Sequence, residues 1–379
     1  MCARSTDTHS SPLEVGALNH CCRAAAVRKG AFAARRAAKI TAMTTKIFLV
    51  RHAEAEGNLF RVAHGQYDSV ITPQGYRQLA YLRDRFKNER LDAVYGSDLT
   101  RTHTTASALY VPRGLAFRPL PLLREIRLGI WEQMTWGEIQ RMDTQLYVDF
   151  NKKPHLWHVE GAETFAQVRE RMLAGIRQIA AENPGATVAA ASHGAALRTL
   201  LGTLQGMTLE EIGGTGHGDN TAVSLLEVDG DKIKVIFRDD ASHLPASVST
   251  FRHQSWHKGD AAIEPGLWFR TVREDEDGRT AEALLDEDVV GRVAMVVEPD
   301  ALRITDYAVI PALRGQRYGI QLLGQAVQYA RTRNREKLVL ACPEELKGYF
   351  CKYGFVPAGE ELVMDLRRVV RDIPEILED

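Results

Sequence analysis

The chain has almost no net charge: 48 Lys and Arg stand against 49 Asp and Glu, leaving −1 at pH 7 over 379 residues. No global field therefore draws it toward nucleic acid or an anionic membrane. No uninterrupted apolar stretch approaches the length of a membrane span. Five cysteines are too few and too scattered for a disulfide framework. Cys2, Cys21 and Cys22 fall in an atypical first segment, and Cys342 and Cys351 have no His or Cys partners at metal-ligand spacing. They read as ordinary reduced thiols, which points to a cytoplasmic protein. What the chain does have is apolar material, 45% of its residues, and a length that favours two domains over one.

Residues 1–43 are rich in Ala, Ser and Arg, with Asp7 and Glu14 as the acids and no apolar core of a secretory signal. A transit peptide has this composition. The preferred reading is upstream sequence before a natural start at Met43, because Met43-Thr44-Thr45-Lys46 runs straight into the first strand.

From residue 46 strands and helices alternate. Ile47 to Val50 is strand-like. Thr72-Pro73 is a helix start, with Thr as N-cap and Pro in the first turn; that helix carries Tyr76, Leu79, Leu82 and Phe86 on one face. Leu91 to Tyr95 is a second strand, and Thr135 with Glu138 is a capping box. Phe165, Val168, Met172, Ile176 and Ile179 form a helical stripe; Thr187 to Ala191 and Ala222 to Val228 are further strands. The pattern predicts an α/β/α sandwich on a mostly parallel sheet, over residues 44–245.

Two of these strands deliver chemistry to their ends, where open α/β sheets bind ligands. One leads into Arg51-His52, the other into Ser192-His193-Gly194. Arg51 and Arg101 offer always-charged planar forks that match phosphate oxygens. Cations close by keep the His52 imidazole neutral and nucleophilic. His193 can donate to a phosphoryl oxygen as charge develops. Glu125 is the candidate acid for the leaving oxygen and base for water, with Glu132, Glu54 and Glu56 as nearby alternatives. The Arg pair supplies the positive charge, so no metal is required. His64, His103, His155 and His158 read as surface or pocket residues. Trp131, Trp136 and Trp157 read as core or pocket wall.

Leu49-Val50-Arg51-His52 with Asn58, Ser97 to Thr102 around Arg101, Glu125 before Gly129-Ile130-Trp131-Glu132, and Ser192-His193-Gly194 together resemble the histidine phosphatase superfamily, which includes the cofactor-dependent phosphoglycerate mutases. The resemblance implies that His52 is the nucleophile, that a phosphohistidine forms, and that Asn58 lines the phosphate pocket. A mutase carries a longer basic insertion after its Glu, where this chain has only Trp131 to Trp136; phosphatase is favoured and mutase is the alternative. Phe60, His64, Trp131, Trp136 and Trp157 predict an aromatic-lined pocket suited to a small organic phosphomonoester.

After Pro245 periodicity lapses, and residues 246–263 read as a linker or wrapped segment. A second domain, 264–379, opens near Gly266-Leu267-Trp268, with strands over Val289–Val297 and Leu302–Ile310 and a helix carrying Leu322, Leu323, Ala326, Val327 and Ala330. Val309-Ile310-Pro311, the turn Arg314-Gly315-Gln316-Arg317-Tyr318-Gly319-Ile320, and Tyr349 to Phe355 resemble the GNAT superfamily of N-acetyltransferases. The resemblance implies a shortened α+β GNAT fold, acetyl-CoA as co-substrate and an unidentified amine as acceptor. A strand entering such a turn can cradle a pyrophosphate on backbone N–H groups, with Val309 and Arg314 to Ile320 as the cofactor-binding residues. Three departures stand out. Between Trp268 and Val289 the chain is short, with Glu274-Asp275-Glu276-Asp277 where the family usually carries two helices that shape the acceptor site. Arg317 occupies a position where the family usually has Gly, and the proton-donating Tyr falls at Phe350, leaving Tyr349 and Tyr353 as its neighbours. A CoA-binding module that regulates the phosphatase without catalysis is the alternative.

Overall fold

The computed structural model describes residues 43–253 and 266–376. Expectations for residues 1–42 and 254–263 lie outside the described residues. Residues Thr44–Asp379 form one compact unit.

The N-terminal half is a three-layer sandwich. Its elements are β1 (Thr45–Arg51), α1 (Glu56–Phe60), α2 (Pro73–Arg85), β2 (Ala93–Gly96), α3 (Thr100–Tyr110), β3 (Phe117–Pro119), α4 (Trp136–Met142), α5 (Thr144–Lys152), α6 (Phe165–Glu182), β4 (Thr187–Ser192), α7 (Gly194–Leu204), α8 (Leu209–Ile212), β5 (Val223–Asp229), β6 (Lys232–Asp240) and α9 (Thr250–His253). The sheet order is β3-β2-β4-β1-β5-β6. β1, β2, β3 and β4 run parallel, while β5 and β6 close one edge antiparallel. β1 is apolar from Ile47 to Val50 because both its faces are covered there. Ile47 and Leu49 point into the core under α6 and α7, and Phe48 and Val50 into the core under α2 and α3. Thr72 caps α2 and Thr135 caps α4 through Glu138, as their spacing predicts. Residues 246–253 are packed onto the sandwich: Val248 and Thr250 are buried, and Gln78 on α2 donates to the Val248 carbonyl and the Thr250 hydroxyl.

The C-terminal half is a seven-stranded sheet flanked by two helices: β7 (Trp268–Glu274), β8 (Gly278–Leu285), β9 (Asp288–Val297), β10 (Leu302–Val309), α10 (Tyr318–Thr332), β11 (Lys337–Leu340), α11 (Glu344–Lys352), β12 (Phe355–Ala358) and β13 (Glu361–Asp365), in the order β12-β13-β11-β10-β9-β8-β7. The acidic run Glu274 to Asp277 is the turn of a hairpin joining β7 to β8. β10 pairs with β11, in parallel, only over Leu302 to Ile304. Past a bulge between Ile304 and Asp306, β10 continues to Val309 against β9 alone. The strands therefore part, and a cavity opens beyond the split.

The halves share a core. Leu59 and Phe60 of α1, with Val62, are buried among Phe269, Ile320, Leu323, Val327 and other apolar residues of the C-terminal half. Phe60 lies over Gly324 of α10, where a Cβ would come within 2.6 Å of the Phe60 Cβ. Beside it Arg331 pairs with Glu56 at 2.6 Å, both side chains nearly buried.

Candidate active site

Register places the key groups together. Arg51 pairs with Ser192 across β1 and β4, so His52 and His193 leave the sheet side by side, with ring centroids 5.2 Å apart. His52 Nδ1 donates to the Ala53 carbonyl at 2.8 Å. That hydrogen bond fixes the tautomer and leaves the lone pair on Nε2. Burial is the largest cause holding the His52 pKa well below its ordinary value of 6.5, with Arg101, Arg51 and His64 adding to it. The ring is thus neutral at pH 7, and burial contributes more to this than any single neighbouring cation.

His193 accepts from Arg101 Nε at 3.2 Å through Nδ1, and its Nε2 meets the Ser97 hydroxyl at 2.7 Å. Arg101 is fully buried, and its guanidinium also donates to the carbonyls of His64, Gly65 and Tyr67. It straps the 64–67 loop under the site. Glu132 completes the strap by accepting from the backbone N–H groups of Gln66 and Tyr67. The strapped loop presents His64 edge-on to His52, with ring centroids 5.6 Å apart. Arg51 donates to the Gly218 carbonyl, while its buried Nε has no hydrogen-bond partner among the described residues and faces Gly194. An orphaned guanidinium N–H in a polar pocket suits an anionic oxygen.

The four candidate acids separate cleanly. Glu125 lines the cleft, and its carboxylate accepts from the N–H groups of Ile126, Ala195 and Ala196, the last two in the first turn of α7. Glu132 is committed to the loop. Glu54 is buried against Thr72 and Thr250, and Glu56 is paired with Arg331. Asn58 lines the cleft and accepts from the Ala55 N–H at 3.0 Å.

The cleft, of about 750 Å³, is lined by Arg51, Asn58, His64 and Glu125 and also by Arg61, Trp136, Tyr147, Phe150, Asn151 and His217. The aromatic expectation needs correcting. Phe60 belongs to the shared core, and Trp131 and Trp157 are fully buried in the sandwich core, where their rings pack against each other and against Phe150. Trp136 remains at the cleft, joined by Tyr147 and Phe150. Arg61, Tyr147, Asn151 and His217 were not anticipated. Asn220 is a further addition; its amide donates to the His52 carbonyl at 2.8 Å. His103 stacks on Phe117, away from the cleft.

In the C-terminal half a cavity of about 1100 Å³ is lined by Tyr307, Ala308, Val309, Leu313, Arg314, Gly315, Arg317, Gly319, Ile320, Leu346, Tyr349, Phe350 and Tyr353. Of the residues expected at a cofactor, Gln316 and Tyr318 do not line it. Gly315 has φ 82°, which glycine adopts without strain. Arg317 has φ 67°, the left-handed backbone that explains a Gly preference there. The Tyr307 hydroxyl donates to the Gly319 carbonyl and lies 2.9 Å from the Tyr349 hydroxyl. A Cβ on Gly319 would meet the Tyr349 hydroxyl at 2.7 Å. Cavity, open turn and helix N-terminus fit a long ligand bearing a pyrophosphate.

Among the described residues no group of His, Cys, Asp and Glu is placed to hold a metal ion, and no helix is long and apolar enough to cross a membrane.

Comparison with known proteins finds two families along the chain. Residues 47–240 match the family model of the histidine phosphatase superfamily (branch 1), and residues 246–355 match that of the acetyltransferase (GNAT) family. A metal-independent phosphoserine phosphatase of Arabidopsis thaliana is 28% identical over 212 residues, 54% of this chain and 86% of its own. A probable phosphoglycerate mutase GpmB of Yersinia enterocolitica is 30% identical over 162 residues, 43% of this chain and 75% of its own. The solved structure of Bacillus stearothermophilus YhfR has 32% identity and a TM-score of 0.51, covering 52% of this chain and 98% of that one.

Proposed function

Because the chain belongs to the histidine phosphatase superfamily over residues 47–240, we propose that it hydrolyses small organic phosphomonoesters without a metal, through a phosphohistidine on His52. The observation that carries this reading is the His52 ring, which is buried, neutral, donating from Nδ1 to Ala53, and therefore nucleophilic at Nε2. Nε2 attacks phosphorus as the ester P–O bond breaks, and Glu125 protonates the leaving oxygen. Glu125 then takes a proton from water, which attacks phosphorus and releases His52 and inorganic phosphate. Arg51, with its unpartnered Nε, meets the charge on the phosphoryl oxygens. Arg101 and His193 hold that end of the site, and Asn58 flanks it. Arg61, which also lines the cleft, supports a substrate with a second anionic group, such as phosphoserine, on which the Arabidopsis relative is named as acting.

In the test, the full chain is quenched during turnover of p-nitrophenyl phosphate and phosphoserine. Acid-labile, base-stable phosphate should map to His52, inorganic phosphate should be the product, and His52→Ala should retain almost no turnover. Label on another residue would overturn the His52 assignment, and isomerisation of added phosphoglycerate without release of inorganic phosphate would replace this reading with the mutase one.

The C-terminal domain is proposed to bind acetyl-CoA in the cavity beyond the β10–β11 split and to transfer its acetyl group to an amine. The cofactor supplies the activated thioester. Backbone N–H groups from Arg314 to Ile320 would receive the pyrophosphate, with Arg314 and Arg317 adding charge. Tyr349 and Tyr353 are the candidate proton donors; burial pushes both phenols above their ordinary range and keeps them protonated.

A further inference from the structure

A second cavity, of about 950 Å³, lies on the seam between the two halves. Arg77 and His253 line it from the phosphatase half, and Arg317 and Lys352 from the other. Arg317 and Tyr353 are common to this cavity and to the proposed cofactor cavity, so the two spaces meet at the turn that would hold the pyrophosphate. One carboxylate, Glu54, lines the seam cavity as well. Its oxygens are taken by the Thr72 and Thr250 hydroxyls, and burial pushes its pKa up, which reduces its repulsion of an anion.

We propose that this seam cavity binds the 3′-phosphoadenosine end of coenzyme A, so that the phosphatase domain supplies part of the acetyltransferase domain's cofactor site. The inference rests on the acetyl-CoA reading above. A ligand whose pyrophosphate sits at Arg314 to Gly319 and whose pantetheine arm enters the β10–β11 split must send its nucleotide out past Arg317 and Tyr353. On this side of the turn, that exit is the seam cavity. The 3′-phosphate carries roughly two negative charges, and Arg77, Arg317 and Lys352 bring three cationic side chains to the cavity from both domains. Neither domain alone presents the complete set: Arg77 stands on α2, and Lys352 ends α11.

Calorimetric titration of the full chain with CoA and with dephospho-CoA, which lacks only the 3′-phosphate, tests the proposal. The wild type should bind CoA roughly tenfold more tightly than dephospho-CoA, the scale of charge-assisted phosphate contacts. Arg77→Ala should weaken CoA roughly three- to tenfold while leaving dephospho-CoA unchanged; Lys352→Ala, on the opposite wall, should behave alike. Unliganded melting temperatures of both variants check folding. Equal binding of the two ligands by the wild type would overturn the seam site and leave the cofactor reading standing, as would an Arg77 variant that keeps the wild-type ratio. An Arg77 variant that loses both ligands equally would also overturn the seam site. Absence of binding by either ligand at millimolar concentration would overturn both.

Discussion

At the residue scale the unusual feature is the number of buried imidazoles. His52, His64, His193 and His217 all sit well below their ordinary pKa, with burial as the first cause in each, and burial beside Arg85 lowers His243 to about 4. A histidine with a depressed folded-state pKa binds its proton more readily in the unfolded chain. Its contribution is therefore intact above pH 6.5 and is lost as pH falls from there toward the folded value, at about 1.4 kcal/mol per pH unit per group. The urea midpoint should fall steeply between pH 6.5 and 4.5. Over the same range kcat/KM should show no acid limb at 6.5 from His52, whose ring is already neutral. A flat midpoint, or a limb at 6.5, would contradict the buried-imidazole picture. Arg61 makes a separate prediction. If it receives a second anionic group, Arg61→Gln should raise KM for phosphoserine about tenfold or more and leave p-nitrophenyl phosphate nearly unchanged. Parallel losses on both substrates would assign it a structural role with Tyr147. Sequence made Arg51, His52, Arg101, Glu125 and His193 legible because each lies in a contiguous motif next to a strand or helix end. It did not reveal Arg61, Tyr147, His217 or Asn220. Arg61, Tyr147 and the 217–220 loop come from three separate segments, the loop bringing His217 to the cleft and Asn220 to the His52 carbonyl, so the fold alone brings them together. Nor did it show that Arg101 spends most of its donors on loop carbonyls.

At the element scale the readable signals were those with a local cause. The Thr72-Pro73 and Thr135–Glu138 helix starts and the stripe on α6 depend on residues within one or two turns, and all appear where expected. The short β3 and the edge strand β6 were missed. β3 has three residues and no room for a period. β6 does alternate in burial from Lys232 onward, after a turn at Gly230 with φ 58°, but its partly exposed face dilutes the apolar pattern. The contact of α1 with α10 was hidden altogether, because Leu59-Phe60 in a five-residue helix looks the same whether it faces substrate or another domain. That contact is tightly packed, and Gly324 is the place to probe it. Gly324→Ala puts a methyl 2.6 Å from the Phe60 Cβ, and overpacking of this kind costs about 1–3 kcal/mol. The variant should melt several degrees lower. Because α1 also carries Asn58, it should lose phosphatase turnover at temperatures where it remains folded. Gly206, around which a Cβ would meet nothing within 4 Å, has φ 83° and so serves as a control in which backbone strain acts without a clash. Equal effects on phosphatase activity from the two substitutions would show that α1 packing does not reach the active site.

At the scale of the whole molecule, two family domains behave as one packed body. Besides the shared apolar core, the seam holds the Arg331–Glu56 pair, Gln328 donating to the Gln133 carbonyl at 3.0 Å, and the Thr135 hydroxyl donating to the Leu267 carbonyl at 3.3 Å. The end of the chain returns to the phosphatase half: Arg83 on α2 donates to the Pro374 carbonyl, the Arg371 N–H donates to the Tyr76 hydroxyl, and Ile373 packs against the core under α2. Exposing Leu59, Phe60 and Val62 to water while the first domain stayed folded would forfeit about 1.5–3 kcal/mol for each large side chain, and stranding Glu56 without Arg331 would cost more. Separate unfolding of the C-terminal domain is therefore disfavoured, and calorimetry should show one transition rather than two. The same linkage has a functional readout. A ligand that binds only the folded C-terminal domain stabilises by mass action, and in a single cooperative unit that gain is felt by the phosphatase site. Saturating acetyl-CoA should raise the midpoint of thermal phosphatase inactivation by the same number of degrees as the calorimetric midpoint. Two resolved transitions, with phosphatase inactivation following one and acetyl-CoA moving only the other, would show that the shared core does not couple the domains.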